Sequence, residues 1–163
     1  MDGPSGALHP FLRGVDWLIG TWEGTGRGIY ATIEPFDYGE EIRFSDVGRP
    51  FLLYAQRTWS LADGQPLHAE TGWLRPREDG RIELIVAQAT GVGEVDEGTV
   101  DGRRISLDSV AVTPTSTGAS ASQVSRRIEV SADGSTLRYT LDMEAVGQPL
   151  QRHLEAELRR VEA

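Results

Sequence analysis

The sequence predicts an all-β fold, a barrel or sandwich of about ten short strands preceded by one short N-terminal helix. Three observations carry this. Apolar and polar residues alternate with a period of two in segment after segment. Four Asp-Gly pairs, Asp63-Gly64, Asp79-Gly80, Asp101-Gly102 and Asp133-Gly134, fall between those segments where hairpins turn. A glycine-rich stretch from Ile19 to Ile33 leaves one face of a strand nearly bare.

Residues 1–6 read as a loose tail. Leu8, Phe11, Leu12, Val15 and Leu18/Ile19 then recur at helical spacing, with Pro10 near the start. They predict a short helix ending near Asp16 that closes one end of the fold. In the next stretch Trp22, Gly24, Gly26, Gly28, Tyr30 and Thr32 share one strand face, opposite Thr21, Glu23, Thr25, Arg27, Ile29 and Ala31. The polar face suits solvent and the glycine face suits the inside of something hollow. The simpler alternative is a barrel strand bent by glycine, with no ligand. A dinucleotide fingerprint fails at Ile29, and a P-loop is excluded because the chain has no lysine.

Strand candidates follow in order. Ile42 and Phe44 alternate with Glu41 and Arg43. Phe51, Leu53, Ala55 and Arg57 oppose Leu52, Tyr54, Gln56 and Thr58. Leu67, Ala69, Thr71 and Trp73 oppose His68, Glu70, Gly72 and Leu74. Ile82, Leu84 and Val86 oppose Glu83, Ile85 and Ala87, and Ile105 and Leu107 oppose Arg104, Ser106 and Asp108. Pro114 to Ser122 is small and polar and reads as a loop. Val124, Ile128 and Val130 flank Arg126. The cleanest alternation sets Leu137, Tyr139, Leu141, Met143 and Ala145 against Arg138, Thr140, Asp142 and Glu144. The final segment is ambiguous: Leu150, Leu154, Leu158 and Val161 fit a helical stripe, whereas a barrel must pair its last edge with a strand.

Composition bounds the function. The 163 residues suit one domain spanning 1–163, with 39% hydrophobic and 25% charged residues. A net charge of −9 argues against nucleic acid and anionic membrane as partners. All 16 basic residues are arginine, and cysteine is absent, which removes disulfides, thiolate nucleophiles and Cys-based metal sites. No apolar run is long enough to span a membrane, and no signal peptide is seen, so a cytoplasmic location is expected. There is no His-Glu-x-x-His and no Gly-x-Ser-x-Gly. Glu40 and Glu41 are adjacent, point to opposite faces, and so do not form a carboxylate pair.

The three histidines are His9, His68 and His153. Two segments resemble the nitrobindins, small haem proteins on a barrel like that of the fatty-acid-binding proteins. One is Gly20-x-Trp22-x-Gly24-x-Gly26 followed by Gly28-x-Tyr30-x-Thr32-Ile33, where the family usually has Tyr-Pro-Thr and this chain has Tyr30-Ala31-Thr32. The other is Gln148-Pro149-Leu150-x-x-His153, in which the family's histidine is the proximal haem ligand. The resemblance implies a ten-stranded antiparallel barrel with a strand at its C-terminus. It implies one haem b per chain, held by His153 as axial ligand of the iron and as the catalytic centre. Thr32, His68 and Met143 are then further cofactor-binding residues, with Met143 as wall and His68 near the mouth. It implies ferric haem that binds nitric oxide reversibly and converts peroxynitrite to nitrate, with an open coordination position opposite His153. A homodimer is compatible with it. If the last segment is a strand, His153 shares a face with Glu155 and Glu157, so either it lies at an open mouth or a bulge resets the alternation. Arg126 and Arg127 either reach the haem propionates or stay solvated, the commoner state of arginine. The rival reading is a non-catalytic carrier of a small hydrophobic ligand, with the glycines making room for it.

Overall fold

The computed structural model describes residues 6–145 and 147–162. The expected loose tail therefore lies outside the described residues, apart from Gly6. Ten antiparallel strands close into a barrel: β1 (Gly20–Tyr30), β2 (Ile33–Asp46), β3 (Leu52–Ser60), β4 (Pro66–Pro76), β5 (Arg81–Gln88), β6 (Val92–Asp101), β7 (Arg104–Pro114), β8 (Ala121–Val130), β9 (Thr136–Ala145) and β10 (Gln151–Val161). Each strand pairs with its neighbours in sequence, and β10 returns to pair with β1 from Thr21↔Val161 to Gly28↔Leu154. The ring closes, so every strand has a neighbour on both sides, although β7 and β8 pair only from Arg104↔Glu129 to Asp108↔Ser125. The glycines of the four predicted Asp-Gly turns all sit at positive φ, between 57° and 78°.

The final segment is a strand, despite its helical stripe of leucines. Strand β1 needs a partner on its second edge, and Gly24 allows β10 to approach it closely. A Cβ at Gly24 would run into the backbone of Glu157 and Leu158.

The expected N-terminal helix forms instead as two short 3₁₀ turns, Pro10–Leu12 and Asp16–Leu18. The buried residues Leu12, Val15 and Leu18 recur every three positions, the repeat of a 3₁₀ turn, and the backbone bonds Leu12→His9, Val15→Leu12 and Leu18→Val15 follow that period. The segment closes one end of the barrel, as expected. Each of these apolar side chains contributes about 2 kcal/mol by leaving water. His9 caps the first turn, its Nδ1 accepting from the Phe11 amide at 3.2 Å.

Gly20 and Trp22 belong to this closed end. The fully buried Trp22 indole donates to the Leu18 carbonyl at 2.9 Å, and the Arg160 guanidinium lies 4.1 Å above its ring. Arg160 also donates to the carbonyls of Ile19 (2.6 Å), Trp17 (2.8 Å) and Gly134 (3.0 Å). It thereby ties the turns to the barrel floor.

Candidate functional site: a cavity with His153 at its mouth

Apart from Thr32, the residues placed on the inward faces around Tyr30, Tyr139 and Met143 enclose a cavity of about 440 Å³, within the ordinary range for a ligand site. Its walls are mainly apolar: Ile42, Phe44, Ile128, Leu137, Leu141, Met143 and Leu154. Three of the sequence-predicted residues, His153, His68 and Met143, line it together. Thr32 does not. It lies in the exposed two-residue turn between β1 and β2, next to Tyr30, which does line the cavity.

A bulge in β10 sets the orientation of His153. Arg152 pairs with Asp142 and Leu154 with Leu141, so His153 is an extra residue on its strand. The extra residue turns His153 and Leu154 both toward the cavity, and Leu154, Ala156 and Leu158 then continue the inner face while Glu155 and Glu157 face water. The ring is packed edge-on against Tyr30, 4.2 Å between centroids, and Tyr30 stacks in turn on Phe36 at 5.7 Å. Burial, with His68 adding to it, lowers the His153 pKa, so the imidazole is neutral at pH 7 and has a lone pair to give a metal.

The bare glycine face is not empty space. The Tyr38 ring packs where a Gly26 Cβ would be, and the Phe36 ring does the same at Gly28. Absence of side chains on β1 is what lets these β2 aromatics lie across the barrel wall. The glycines thus shape the cavity by seating its lining.

The cavity floor carries a buried polar network that sequence reasoning missed. Arg126 projects inward from β8, donates to Glu70 Oε1 at 2.8 Å and to Glu94 at 2.9 Å through both Nε and Nη2, and lies 3.4 Å from Asp96. Tyr54 donates to Glu70 at 2.7 Å, and His68 Nε2 lies 3.2 Å from Glu70 Oε2. Burial pushes the Glu70 and Glu94 carboxyls up, but the Arg126 guanidinium outweighs it and holds both below the usual range. Asp96 is raised to about 9 by burial and by Glu94 beside it. Glu40 receives Gln56 Nε2 at 2.7 Å and the Tyr139 hydroxyl at 2.8 Å, and burial lifts its pKa to about 7. Arg126 is therefore neither solvated nor free for a propionate. Arg127 is at the surface beside Asp108, 3.1 Å away. Glu41 faces outward, paired with Arg57 and Arg43, so the opposite facing of Glu40 and Glu41 holds. The missed residues had a signal: Glu40 shares parity with Ile42, Gln56 with Tyr54, and Glu70 with Leu74.

Among the described residues no group of three or more His, Asp or Glu is placed to hold a bare metal ion. One neutral imidazole facing an apolar cavity instead fits an iron that brings its remaining ligands with it, as haem does.

Comparison with known proteins agrees. The model of the family described as "THAP4-like, heme-binding beta-barrel domain" matches residues 12–160. A "Peroxynitrite isomerase 2" of Mycobacterium avium is 50% identical over 94% of this chain and 96% of its own length. A "Peroxynitrite isomerase" of Nocardia farcinica is 47% identical over 96% of this chain and 95% of its own. The crystal structure of Rv2717c from M. tuberculosis superposes with a TM-score of 0.88 at 42% identity, covering 96% of this chain and all of that one.

Proposed function

Because the chain belongs to the THAP4-like haem-binding β-barrel family, we propose that it is a haem-dependent peroxynitrite isomerase with His153 as the only protein ligand of the iron. The observation that carries the ligand assignment is the β10 bulge, which aims a neutral, half-buried imidazole into an apolar cavity. Held by His153, haem would supply the iron chemistry that rearranges peroxynitrite to nitrate and binds nitric oxide reversibly.

The chain's own residues do the rest. His153 anchors the cofactor, and Tyr30 holds the imidazole in place. Met143, Leu141 and Leu154 give an apolar wall that keeps bulk water away from the reacting centre. His68 serves as a lining residue and Thr32 as part of the rim beside Tyr30. No protein acid or base has to exchange a proton for an isomerisation, which suits a cavity with few nucleophiles. One haem per chain, in a single barrel domain working in the cytoplasm, completes the reading. A carrier of fatty-acid-like anions is disfavoured, because the cavity's one arginine, Arg126, is already committed to Glu70 and Glu94.

Two substitutions test the proposal by haem absorbance and peroxynitrite decay. His153→Ala should lose the ferric haem spectrum and the isomerase activity, and His68→Ala should keep both. A His153→Ala protein with an unchanged spectrum and normal turnover would show that the iron is held elsewhere.

A further inference from the structure

Glu40 is fully buried, and its two oxygens have three short contacts between them. Oε1 accepts from Gln56 Nε2 at 2.7 Å, and the Tyr139 hydroxyl lies 2.8 Å from both oxygens. The Tyr139 hydroxyl is in turn 3.1 Å from the Tyr38 hydroxyl, and either of those atoms can be the donor. Tyr38 lines the cavity. Tyr139 and Gln56 line it as well, and the three residues Glu40, Tyr139 and Tyr38 form a hydrogen-bonded chain that ends at the Tyr38 hydroxyl.

The direction of such a chain depends on one proton. An ionised Glu40 only accepts. Tyr139 must then donate to it, Tyr38 donates to Tyr139, and the Tyr38 oxygen turns lone pairs toward the cavity. A protonated Glu40 keeps Gln56 on Oε1 and donates from Oε2 to Tyr139. Tyr139 donates onward to Tyr38, and the Tyr38 hydroxyl donates into the cavity. No heavy atom has to move.

We propose that Glu40, Tyr139 and Tyr38 are a reversible hydrogen-bond chain that decides whether the cavity offers its occupant a donor or an acceptor, with Glu40 as the specificity-determining position. Its protonated form favours anionic and acceptor ligands, and its ionised form repels them.

The surroundings place this change near neutrality. Burial is the largest influence and raises the Glu40 pKa, and Glu70 on β4 adds to it. Gln56 on β3, Tyr139 on β9 and Arg126 on β8 lower it, leaving it at about 7. Tyr38 on β2 and Tyr54 on β3 stay neutral, both with pKa values raised first by burial. The β1 residue paired with Glu40 is Gly24, and its β10 partner is Leu158, so neither neighbour on that side brings a charge.

Glu40→Gln tests the chain, because the amide nitrogen donates to Tyr139 at every pH and locks the donating direction. Tyr38→Phe removes the terminal hydroxyl. The first measurement uses haem-free protein and is independent of the haem assignment. Infrared difference spectra across about pH 5 to 9 should show a buried carboxylic C=O band that bleaches near pH 7 in wild type and in Tyr38→Phe, and is missing in Glu40→Gln. An identical band in Glu40→Gln would overturn the chain. The second rests on the haem reading and uses azide as probe of the haem-loaded protein. Wild-type affinity should fall about tenfold more across pH 7 than that of Glu40→Gln, the size of one hydrogen bond to a charged group. Tyr38→Phe should stay at the weak value throughout. Parallel pH profiles in all three proteins would refute the proposal, while loss of haem binding in wild type would refute only the haem reading.

Discussion

The Tyr30 ring meets the His153 imidazole edge-on, with 4.2 Å between centroids and 77° between planes. Geometry of this kind contributes about 0.5–1.5 kcal/mol beyond the area it buries. Tyr30→Ala should therefore weaken haem affinity by up to about tenfold, and Tyr30→Phe should keep it near wild type. Haem titration of the two variants separates packing from any role of the hydroxyl. Equal losses in both would give the hydroxyl the credit instead.

Gly26→Leu should fail to take up haem because it displaces Tyr38. The milder Gly26→Ala should already destabilise the protein, since even a Cβ meets the Tyr38 ring. A Gly26→Ala/Tyr38→Ala double variant should recover part of that loss in urea unfolding. Strictly additive effects would mean that the two residues do not compete for the same space.

Arg126→Met should destabilise the barrel by about 3–5 kcal/mol, because it leaves Glu70 and Glu94 buried without their cation. The sign with pH follows from the lowered pKa values of these two carboxyls. Their contribution is complete above the unfolded carboxylate range and is lost as pH falls through their folded values. The gap between wild type and variant should accordingly be widest near neutrality and narrow toward acid. Unfolding curves at about pH 7 and pH 4 check this, and a gap that widens in acid would contradict it.

Glu40 predicts the opposite trend. Its folded pKa is raised from 4.5 to about 7, so the folded state binds more protons than the unfolded one between those values. Stability should fall as pH rises through that window, by about 3 kcal/mol in full. Glu40→Gln should remove this part of the slope. Denaturant midpoints at about pH 4 and pH 8 provide the comparison, and an unchanged slope would place the proton on another group.

The strand period exposed most of the barrel to a reader of the sequence, since inner residues such as Leu137, Tyr139 and Leu141 recur at every second position. It misled at Leu8–Ile19, where a spacing of three and a spacing of three to four are hard to tell apart over so few turns. His153 was legible as a ligand candidate only through its resemblance to a known motif. By parity alone it belonged with Glu155 and Glu157, and a bulge leaves no mark in composition. The floor was missed for a different reason. Glu40, Glu70 and Glu94 stand at inward positions, but acidic side chains are so often solvated that parity is discounted for them. Arg126 makes their burial tolerable, and it comes from a strand far away in the sequence.

The pairing of β1 with β10 also sets an order of assembly. The strand that carries His153 is the tenth and last of the barrel, and it must find the first strand before the cavity has a wall on that side. A contact of such long sequence separation is slow to form and late to be rewarded. Until β10 is made, β1 lacks its second ladder and His153 is not in place beside Tyr30. With His153 as the ligand, cofactor capture would wait for a chain that has already closed its ring.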